Sequence, residues 1–400
     1  MHIFMNALAA SAGGGLTYVR NVLPLLAQRS ELRLTVAANP AVLNEISGHR
    51  SVNCLSFDIP SVRRMWFEQL HLPKEIHGCK ADVLLSAGNF ALMRSPVPQI
   101  LLSRNSIYTS ADFYRDLWSR HEYRNWLDTH MRALLAARSI HKSNVTVAPS
   151  EAFAADLRRW TGISRIVSIH HGFDPETFNR DSTPLPNDLN EKLECAAGST
   201  KLLFVSHYNY YRNFETLIRA LPLIRQQAAD QPVRVILTCK LAAGQNPGSY
   251  DPGKAADLVN RLGVADMVIE LGAVQYSQLH RLYRHADLYV TPAYTETFAH
   301  PLVEAMSCGL PVVASDLPVH KEICREAALY FPPFSEKDLA ARVLEVMSSK
   351  SLSTRLAETG KRRSADFSWK RHVQELLLVA NSIVEDPKHF VDQREPSEAY

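Results

Sequence analysis

Short runs of apolar residues alternate along this chain with longer segments in which apolar residues recur at helical spacing. Runs that are continuously apolar are typical of strands buried on both faces of a parallel sheet. One series of runs predicts strands at 3–8, 32–37, 52–57, 82–85, 99–102, 145–148 and 166–169. A second series predicts strands at 202–205, 233–238, 267–271, 288–290, 312–314 and 328–331. Helical segments such as 214–224 and 338–347 lie between the runs, so the pattern predicts an α/β fold with two doubly wound domains.

A polar segment separates the two series. Residues 174–187 are rich in Asp, Asn, Thr and Pro, the residues that punctuate loops. The predicted organisation is a first domain at 1–175, a linker at 176–198, a second domain at 199–370, a helix at 371–386 and a polar tail at 387–400. Because the helix at 371–386 carries apolar residues at helical spacing, it must pack on another element.

Composition and charge narrow the class of protein. The 400 residues are 46% hydrophobic and 21% charged, which describes a globular chain long enough for two cores. The formal net charge of +3 is small for a nucleic-acid-binding protein, so we expect no nucleic-acid partner. The 6 cysteines include no C-x-x-C pair and have no histidine at metal-ligand spacing, so we expect no zinc site. The start of the chain does not resemble an export signal, and no stretch of about 18 apolar residues is present, which favours a cytoplasmic protein.

Two glutamates, Glu296 and Glu304, bracket the segment that follows a predicted strand. Pro301 suits the first turn of a helix and Gly309 its end, which places Glu296 on the loop and Glu304 one turn inside the helix. Ligands of open α/β sheets gather at the carboxyl ends of strands, and there the amides of Thr297–His300 would favour a diphosphate. A carboxylate suits the hydroxyls of a ribose or sugar, at about 1.5–3 kcal/mol per charge-assisted hydrogen bond. The alternative is that Glu304 only complements the helix dipole.

The residues around these glutamates resemble the retaining family-4 glycosyltransferases of GT-B fold. The matching segments are 270–286, 287–315, 318–322 and 367–369. The likeness is strong over residues 200–385 and weak over 1–180. It implies two Rossmann-like domains with a cleft between them, and a C-terminal helix that crosses back to the first domain. It also implies a nucleotide sugar of GDP or UDP type as substrate, with no cofactor.

The roles known in this family, carried to the matching positions, give a candidate donor site. They imply that Glu296 contacts the donor sugar and Glu304 the ribose. Arg212 matches a basic residue that contacts the diphosphate, so Glu296 and Arg212 are the candidate catalytic residues. The other candidate donor-binding residues are Gly14, Gly15, Ser206, His207, Asn213, Gly272, Val274, Thr297, Phe298, Ala299 and His300.

Several of these positions depart from the family pattern. Ser206 and His207 replace a basic residue that is usual near position 206, which affects one expected diphosphate contact. Thr297 and Ala299 stand where glycines are common, so we expect a narrower sugar pocket.

The glycines at 13–15 lie between the first predicted strand and an apolar helix that begins near Leu16. Pro24 is expected to bend or end that helix. A glycine backbone can approach a phosphate closely, but a plain tight turn explains the glycines as well from the sequence alone.

The candidate acceptor-side residues follow two predicted strands of the first domain. Asn89 follows the strand at 82–85, and Arg104 with Asn105 follows the strand at 99–102. The family commonly has a histidine near the second position, and this chain does not. The behaviour of the family implies retention by a front-face displacement that needs no metal, and the chain has no clear Asp-x-Asp ligand pair beside a strand.

The segment 115–142 places basic residues among Tyr, Trp and Leu. This composition fits a helix lying on an anionic membrane, which would place the enzyme at the inner face of the membrane, near lipid-linked acceptors. The alternative, which we favour, is a solvated helical face, because acidic residues offset much of the charge.

These observations together predict an enzyme that transfers a hexose from a nucleoside diphosphate to a hydroxyl of a glycan or glycolipid, with retention. Mannose is the first expectation, by its frequency in the family. Two alternatives remain: a nucleotide-sugar-binding protein without catalysis, and a nucleotide-sugar epimerase with the same two domains.

Overall fold

The structure, a computed structural model, describes residues 1–10, 13–46, 52–228, 231–246, 248 and 250–388. The strands are β1 (His2–Asn6), β2 (Arg33–Ala38), β3 (Val52–Ser56), β4 (Val83–Ser86), β5 (Gln99–Leu102), β6 (Val145–Ala148), β7 (Ile166–Ser168), β8 (Thr200–Phe204), β9 (Val233–Leu237), β10 (Val268–Glu270), β11 (Leu288–Thr291), β12 (Val312–Ser315) and β13 (Ala328–Phe331). The helices are α1 (Gly13–Ala27), α2 (Pro40–Ile46), α3 (Ser61–Leu70), α4 (Leu72–Gly78), α5 (Ala111–Ser119), α6 (Tyr123–Lys142), α7 (Glu151–Thr161), α8 (Pro175–Phe178), α9 (Asn187–Glu194), α10 (Phe214–Gln227), α11 (Gly253–Arg261), α12 (Leu279–His285), α13 (His300–Ser307), α14 (Pro318–Cys324), α15 (Glu336–Ser348), α16 (Lys350–Ser364) and α17 (Trp369–Glu385).

The described strands form two parallel sheets, as the apolar runs predict. The first sheet has the order β3-β2-β1-β4-β5-β6-β7, and the second has the order β10-β9-β8-β11-β12-β13. The strand order reverses between β1 and β4 in the first sheet, and between β8 and β11 in the second. Ligands of doubly wound sheets bind at these points, because the loops that follow the two strands diverge there.

The chain divides into two units. Unit 1 contains the described residues of Met1–Thr109, His121–Gly172 and Ser368–Tyr400, and unit 2 contains Ser110–Arg120 and Phe173–Phe367. This division differs from the predicted domains at two places. Residues 110–120, which include α5, belong to unit 2, although the sequence placed them in the first domain. The predicted linker at 176–198 folds as part of unit 2, where α8 and α9 bury Phe178, Leu189 and Leu193.

Helix α17 packs in the core of unit 1. Its buried residues Val373, Leu376, Ala380 and Ile383 belong to the same apolar cluster as residues of α1. A Cβ on Gly172 would lie 2.0 Å from the backbone nitrogen of Trp369. Only glycine therefore allows the start of α17 to lie this close to the segment that follows β7.

A buried hydrogen-bond chain fixes the α1–α17 contact. The Nδ1 of His372 donates to the carbonyl of His170 at 2.9 Å, which leaves its Nε2 to accept from the hydroxyl of Tyr18 at 2.8 Å. Helix α1 continues past Pro24 to Ala27, so Pro24 does not end the helix, and the bend stays a prediction. The fully buried residues around Pro24 in this core stabilise the last turn despite the missing amide donor.

None of the described helices has both the length and the hydropathy that crossing a bilayer requires.

Candidate functional site

Arg212 and Glu296 lie at the point in unit 2 where the strand order reverses. Arg212 ends the loop after β8, and Glu296 lies on the loop after β11, which is the strand paired with β8. Because both loops leave the carboxyl ends of adjacent parallel strands, the two side chains converge. The sequence therefore placed both candidate catalytic residues at the correct edge of the sheet.

Arg212 and Glu296 form a buried ion pair. A terminal nitrogen of the guanidinium donates to Oε2 of Glu296, and the backbone N–H of Thr297 donates to Oε1 at 3.1 Å. Burial alone would raise the pKa of Glu296, but Arg212, His320 and the Thr297 amide outweigh burial and hold that pKa below its usual value. The carboxylate is therefore ionised at neutral pH, and both of its oxygens accept hydrogen bonds.

The ion pair does not use every donor of the arginine. The Nε of Arg212 is buried and has no hydrogen-bond partner among the described residues. The guanidinium also lies 5.2 Å from the ring centroid of Tyr211. A buried donor without a partner costs about 1–3 kcal/mol, so this N–H is suited to an incoming acceptor such as a phosphate oxygen.

Glu304 lies in α13, one turn from its start, and is 3% exposed. The hydroxyl of Tyr283 donates to its Oε2 at 2.8 Å, and the hydroxyl of Tyr276 also favours the ionised form of this carboxyl. Burial raises the pKa of Glu304 to about 7, although both tyrosine hydroxyls act to lower it. Glu304 therefore stands between its neutral and its ionised form near neutral pH, unlike Glu296.

The loop between the two glutamates has an unusual backbone at Ala299. Its φ of 62° lies in the left-handed region, which explains why the family commonly has glycine there. The ring of Phe298 is 1% exposed and packs 5.4 Å from the ring of Phe367, so it contributes to the core rather than to a donor site. The amide of Thr297 donates to Glu296 in this arrangement, and the binding of a diphosphate by the amides of 297–300 stays a prediction. His300 begins α13 and packs against Phe298.

Local hydrogen bonds stabilise the loop after β8. The hydroxyl of Ser206 donates to the carbonyl of His207 at 2.7 Å, and the amide of Ser206 donates to the Thr238 hydroxyl at 2.9 Å. Partial desolvation and the charge of Arg212 lower the pKa of His207, so it is neutral at pH 7.

Asn213 ties the two loops together rather than facing a ligand. Its side-chain amide donates to the carbonyl of Pro292 at 3.0 Å, and its Oδ1 accepts from the Thr216 hydroxyl at 2.8 Å. Its φ of 57° is one that Asn tolerates better than most residues.

A lysine that the sequence analysis missed lies against the loop that contains Gly272 and Val274. Gly272 has a φ of 84°, and a Cβ there would lie 3.3 Å from the side chain of Lys240. Lys240 Nζ donates to the carbonyl of Glu270 at 2.8 Å, and Val274 is half-buried beyond it. Lys240 follows β9, at the same edge of the sheet as Arg212, and that position after a strand was the signal available in the sequence.

His320 is a second residue that the sequence analysis missed. It is fully buried, its Nδ1 donates to the carbonyl of Ser315 at 2.9 Å, and its Nε2 has no partner in the described part of the chain. Burial lowers the pKa of His320, whereas the carboxylate of Glu296 acts to raise it. No sequence pattern distinguishes such a histidine from one on a helix surface.

In unit 1, the strand-order reversal brings together part of the predicted acceptor side. The guanidinium of Arg104 donates to the carbonyls of Gly14, at 3.2 Å, and Ala87, and the Oδ1 of Asn89 accepts from the Arg104 amide at 2.7 Å. Burial lowers the pKa of Arg104, and its described partners are backbone carbonyls rather than carboxylates. The side chain of Asn105 instead accepts from the amide of Ile107 and caps a short helical turn.

The three glycines at 13–15 lie in the first turn of α1, not in a separate loop before it. A Cβ on Gly15 would lie 3.1 Å from the backbone of Ala10, so close packing explains that glycine. A Cβ on Gly14 would meet no atom within 4 Å, so packing does not explain why glycine stands at position 14.

Among the residues that the structure describes, no group of three or more His, Cys, Asp or Glu side chains is arranged to hold a metal ion.

Comparison with known proteins agrees with this geometry. A model described as glycosyl transferases group 1 matches residues 187–363, and one described as glycosyltransferase family 4 matches residues 12–177. D-inositol 3-phosphate glycosyltransferases are among the similar curated proteins. That of Nocardiopsis dassonvillei is 27% identical over 60% of this chain and 56% of the relative. That of Salinispora arenicola is 30% identical over 60% of this chain and 54% of the relative. The chain thus spans about half the length of the curated relatives that it matches.

Solved structures of similar fold cover nearly the whole chain. The sucrose-phosphate synthase of Thermosynechococcus elongatus has a TM-score of 0.74 and 18% identity, and covers 96% of this chain and 99% of its own. The HepE protein of Anabaena in complex with UDP-glucose has a TM-score of 0.70 and 17% identity, and covers 96% of this chain and 100% of its own. These likenesses show the fold, and the two family models match most of both units. The chain belongs to the family-4 glycosyltransferases of GT-B fold.

Proposed function

We propose that this protein transfers a hexose from a nucleoside diphosphate sugar to a hydroxyl of a glycan or lipid-linked acceptor, with retention of configuration. The observation that supports the proposal best is the buried Arg212–Glu296 pair at the strand-order reversal, with Glu304 one turn inside the next helix. Each residue in this arrangement has a property that suits one part of a nucleotide sugar.

Glu304 suits the ribose. Its carboxyl is buried and accepts a hydrogen bond from the hydroxyl of Tyr283. A ribose hydroxyl would donate to the same carboxyl in the same way. Arg212 suits the diphosphate, because its Nε–H is buried without an acceptor and its charge is permanent. Glu296 then faces the transferred sugar, where an ionised carboxylate accepts from sugar hydroxyls.

The pairing of Glu296 favours a front-face displacement over a double displacement. A nucleophilic carboxylate needs an oxygen free to attack the anomeric carbon, whereas both oxygens of Glu296 accept hydrogen bonds from Arg212 and Thr297. In a front-face reaction the acceptor attacks as the diphosphate leaves, and Arg212 stabilises the charge on the leaving group. We propose that Arg212 fills this role without a metal ion.

The donor sugar is the least constrained part of the proposal. Mannose from GDP-mannose is the first donor to test, and a UDP sugar is the second, since HepE of similar fold was solved with UDP-glucose.

If the acceptor is lipid-linked, α6 is the element that would contact an anionic membrane surface. The structure divides the segment 115–142 between α5 of unit 2 and α6 of unit 1. Only α6 has an apolar exposed stripe, formed by Tyr123, Leu127, Met131 and Leu134. Exposed basic residues border the same face, namely Arg124, Arg138 and Lys142. Apolar side chains bordered by cations suit the interface of a bilayer with anionic lipids.

Calorimetric titration with UDP, GDP, ADP and their sugar conjugates tests the donor assignment, and mass spectrometry then follows transfer or hydrolysis of the sugar. We expect tight binding of one nucleotide and release of its sugar, with at least tenfold weaker binding in Arg212→Ala and Glu304→Ala. Arg225→Ala is the matched control, because it removes an exposed arginine paired with Asp266.

The other outcomes separate the alternatives. Binding without turnover in the presence of glycan and lipid acceptors would favour a binding protein. A free sugar with altered configuration would favour an epimerase. No nucleotide binding at all would refute the donor site.

A further inference from the structure

A buried cluster of charged and tyrosine side chains lies beside the donor loops but contains neither candidate catalytic residue. It consists of Arg120, Asp116, Glu215, Tyr208 and Tyr294, and we call it the Arg120 cluster. Arg120 donates through Nε to Oδ1 of Asp116 at 2.7 Å, and through a terminal nitrogen to Oε1 of Glu215 at 2.8 Å. The side chains of Arg120 and Glu215 are 10% and 9% exposed.

Two tyrosines complete the cluster, and each comes from one of the loops of the donor site. The hydroxyl of Tyr294, on the loop after β11, donates to Oδ2 of Asp116 at 2.8 Å. The hydroxyl of Tyr208, on the loop after β8, donates to Oε1 of Glu215 at 3.1 Å. The guanidinium of Arg120 lies 4.1 Å from the ring centroid of Tyr210, which follows Tyr208 on the same loop. One arginine thus holds both loops through its two carboxylate partners and one ring.

The cluster connects directly to the catalytic pair. Tyr294 is two residues before Glu296, and its amide donates to the carbonyl of Tyr211 at 3.0 Å. Tyr211 precedes Arg212, so the loop after β8 and the loop after β11 meet through this bond. Any shift of Tyr294 or Tyr210 therefore changes the position of the Arg212–Glu296 pair.

Arg120 comes from a part of the chain that the donor site would not otherwise include. The segment Ser110–Arg120 leaves unit 1 after Thr109 and packs within unit 2, and the chain returns to unit 1 at His121. Phe113 of this segment packs 6.1 Å from Tyr211, so the segment contacts the loop after β8 through apolar as well as charged groups.

The charges explain why Arg120 affects the positions of the two loops and not only the stability of unit 2. One guanidinium faces two carboxylates, so its removal would leave Asp116 and Glu215 facing each other without a cation. The cluster also borders an open cavity of about 1020 Å³ between α5, α10 and α11. Water from this cavity can reach the carboxylates, so a substitution at Arg120 is expected to move the loops rather than to unfold unit 2.

We propose that Arg120 is a positioning residue for sugar transfer, which holds the loops after β8 and β11 in the geometry that pairs Arg212 with Glu296. This inference rests on the proposed function for its kinetic readout. Lysine keeps the charge but lacks the planar fork that reaches two carboxylates at once, so Arg120→Lys is the informative substitution. Tyr294→Phe removes a single hydroxyl and serves as the second variant if Arg120→Lys fails to fold.

The test compares kcat for transfer with the Kd for the nucleoside without its phosphates, which depends on Glu304 and not on Arg212. We expect Arg120→Lys to lower kcat about 10- to 100-fold, since a small misplacement of catalytic groups costs about this much. The Kd for the nucleoside should stay within about twofold, because the ribose contact lies on α13, whereas the Kd for the nucleoside diphosphate should rise, because its phosphates meet the misplaced Arg212. The control is Arg115→Lys on the same helix, whose pair with Asp112 is exposed, and it should leave kcat unchanged.

A double substitution decides whether Arg120 acts through Arg212. In an Arg212→Ala background, Arg120→Lys should lower the residual kcat by no more than about twofold, since coupled residues do not have additive effects. Multiplicative losses, or an unchanged kcat in folded Arg120→Lys and Tyr294→Phe, would overturn the proposal.

A complete absence of transferase activity would refute the proposed function but not the positioning role of Arg120. In that case, hydrogen exchange compares the loops 205–213 and 292–299 between the wild type and Arg120→Lys. Exchange at least tenfold faster in both loops, with strands β9 and β12 unchanged, would support the positioning role. Equal exchange in the two proteins would overturn it.

Discussion

The buried carboxyl of Glu304 makes the stability of this protein depend on pH, and Glu304→Gln tests that dependence. The carboxyl is 3% exposed, and its pKa is raised by burial to about 7, from a usual value of 4.5. A raised pKa means that the folded protein binds this proton more tightly than the unfolded chain does. The contribution to stability is therefore fully present below pH 4.5 and is lost as the pH rises through 7.

The magnitude follows from the two pKa values. The difference between 7 and 4.5 corresponds to about 3 kcal/mol in the free energy of unfolding at pH 9, at about 1.4 kcal/mol per pKa unit. At pH 5 the same difference costs only about 1 kcal/mol, because this pH lies only half a unit above the usual pKa of 4.5, so ionisation stabilises the unfolded chain only slightly. Glutamine keeps the oxygen that accepts from Tyr283 but carries no charge, so it does not pay this cost at any pH.

Urea unfolding at pH 5 and pH 9 measures the effect. We expect Glu304→Gln to be more stable than the wild type by about 3 kcal/mol at pH 9 and by about 1 kcal/mol at pH 5. Glu191→Gln, an exposed residue of α9, is the control and should show the same small difference at both values. A difference for Glu304→Gln that does not change with pH would refute the assignment of a raised pKa.

The same substitution should weaken donor binding. If ribose hydroxyls donate to the ionised carboxylate, affinity for the nucleotide sugar rises as the pH increases through 7, and Glu304→Gln loses that rise together with about 10- to 100-fold in affinity. A nucleotide sugar is the correct probe, because the terminal phosphate of a nucleoside diphosphate itself titrates near about pH 6. Stabilisation combined with unchanged affinity would show that Glu304 is buried for a reason other than the donor.

Three further substitutions test other parts of the structure. Gly172→Ala should lower Tm by about 10 °C in calorimetry, because a Cβ would lie 2.0 Å from a backbone nitrogen, whereas Gly78→Ala, whose Cβ would meet no atom within 4 Å, should not. Ala299→Gly should raise the free energy of unfolding by about 0.5–1 kcal/mol in urea, since glycine adopts a φ of 62° without strain, and a lower value would contradict that strain. Tyr283→Phe should shift the pH at which nucleotide-sugar affinity rises to a higher value, because the Tyr283 hydroxyl lowers the pKa of Glu304. An unchanged or lower midpoint would show that Tyr283 does not stabilise the ionised form.

The strands were predictable because of the way parallel sheets are buried. Each predicted strand overlaps an observed one, and 99–102, 145–148 and 328–331 agree at both ends. Strands covered on both faces need continuous apolar runs, and such runs are visible without knowledge of their partners. Unit membership was not predictable in the same way: residues 110–120 have the pattern of any amphipathic helix, and only their tertiary contacts assign them to unit 2.

The residues of the candidate site also differ in how far the sequence predicts them. Arg212, Glu296 and Glu304 stand at fixed offsets from strands, so a sequence pattern locates them. Lys240 follows β9, so its position after a strand was a signal that the sequence offered. His320 approaches the same region from α14, and no local pattern connects it to the site.

Arg120 shows why a charged residue cannot be interpreted from its neighbours in the sequence alone. Its spacing from Asp116 is that of an ordinary i, i+4 pair on a solvated helix, worth about 0.3–0.5 kcal/mol when exposed. Its other carboxylate partner, Glu215, lies 95 residues away and is buried, which turns a surface pair into a cluster with one cation and two anions. Removing the cation from an exposed pair leaves two hydrated groups, whereas removing it here leaves two buried carboxylates that repel each other beside the donor loops. The sequence therefore predicts an ordinary surface pair, whereas the fold adds the buried Glu215 and the ring of Tyr210 around the same guanidinium.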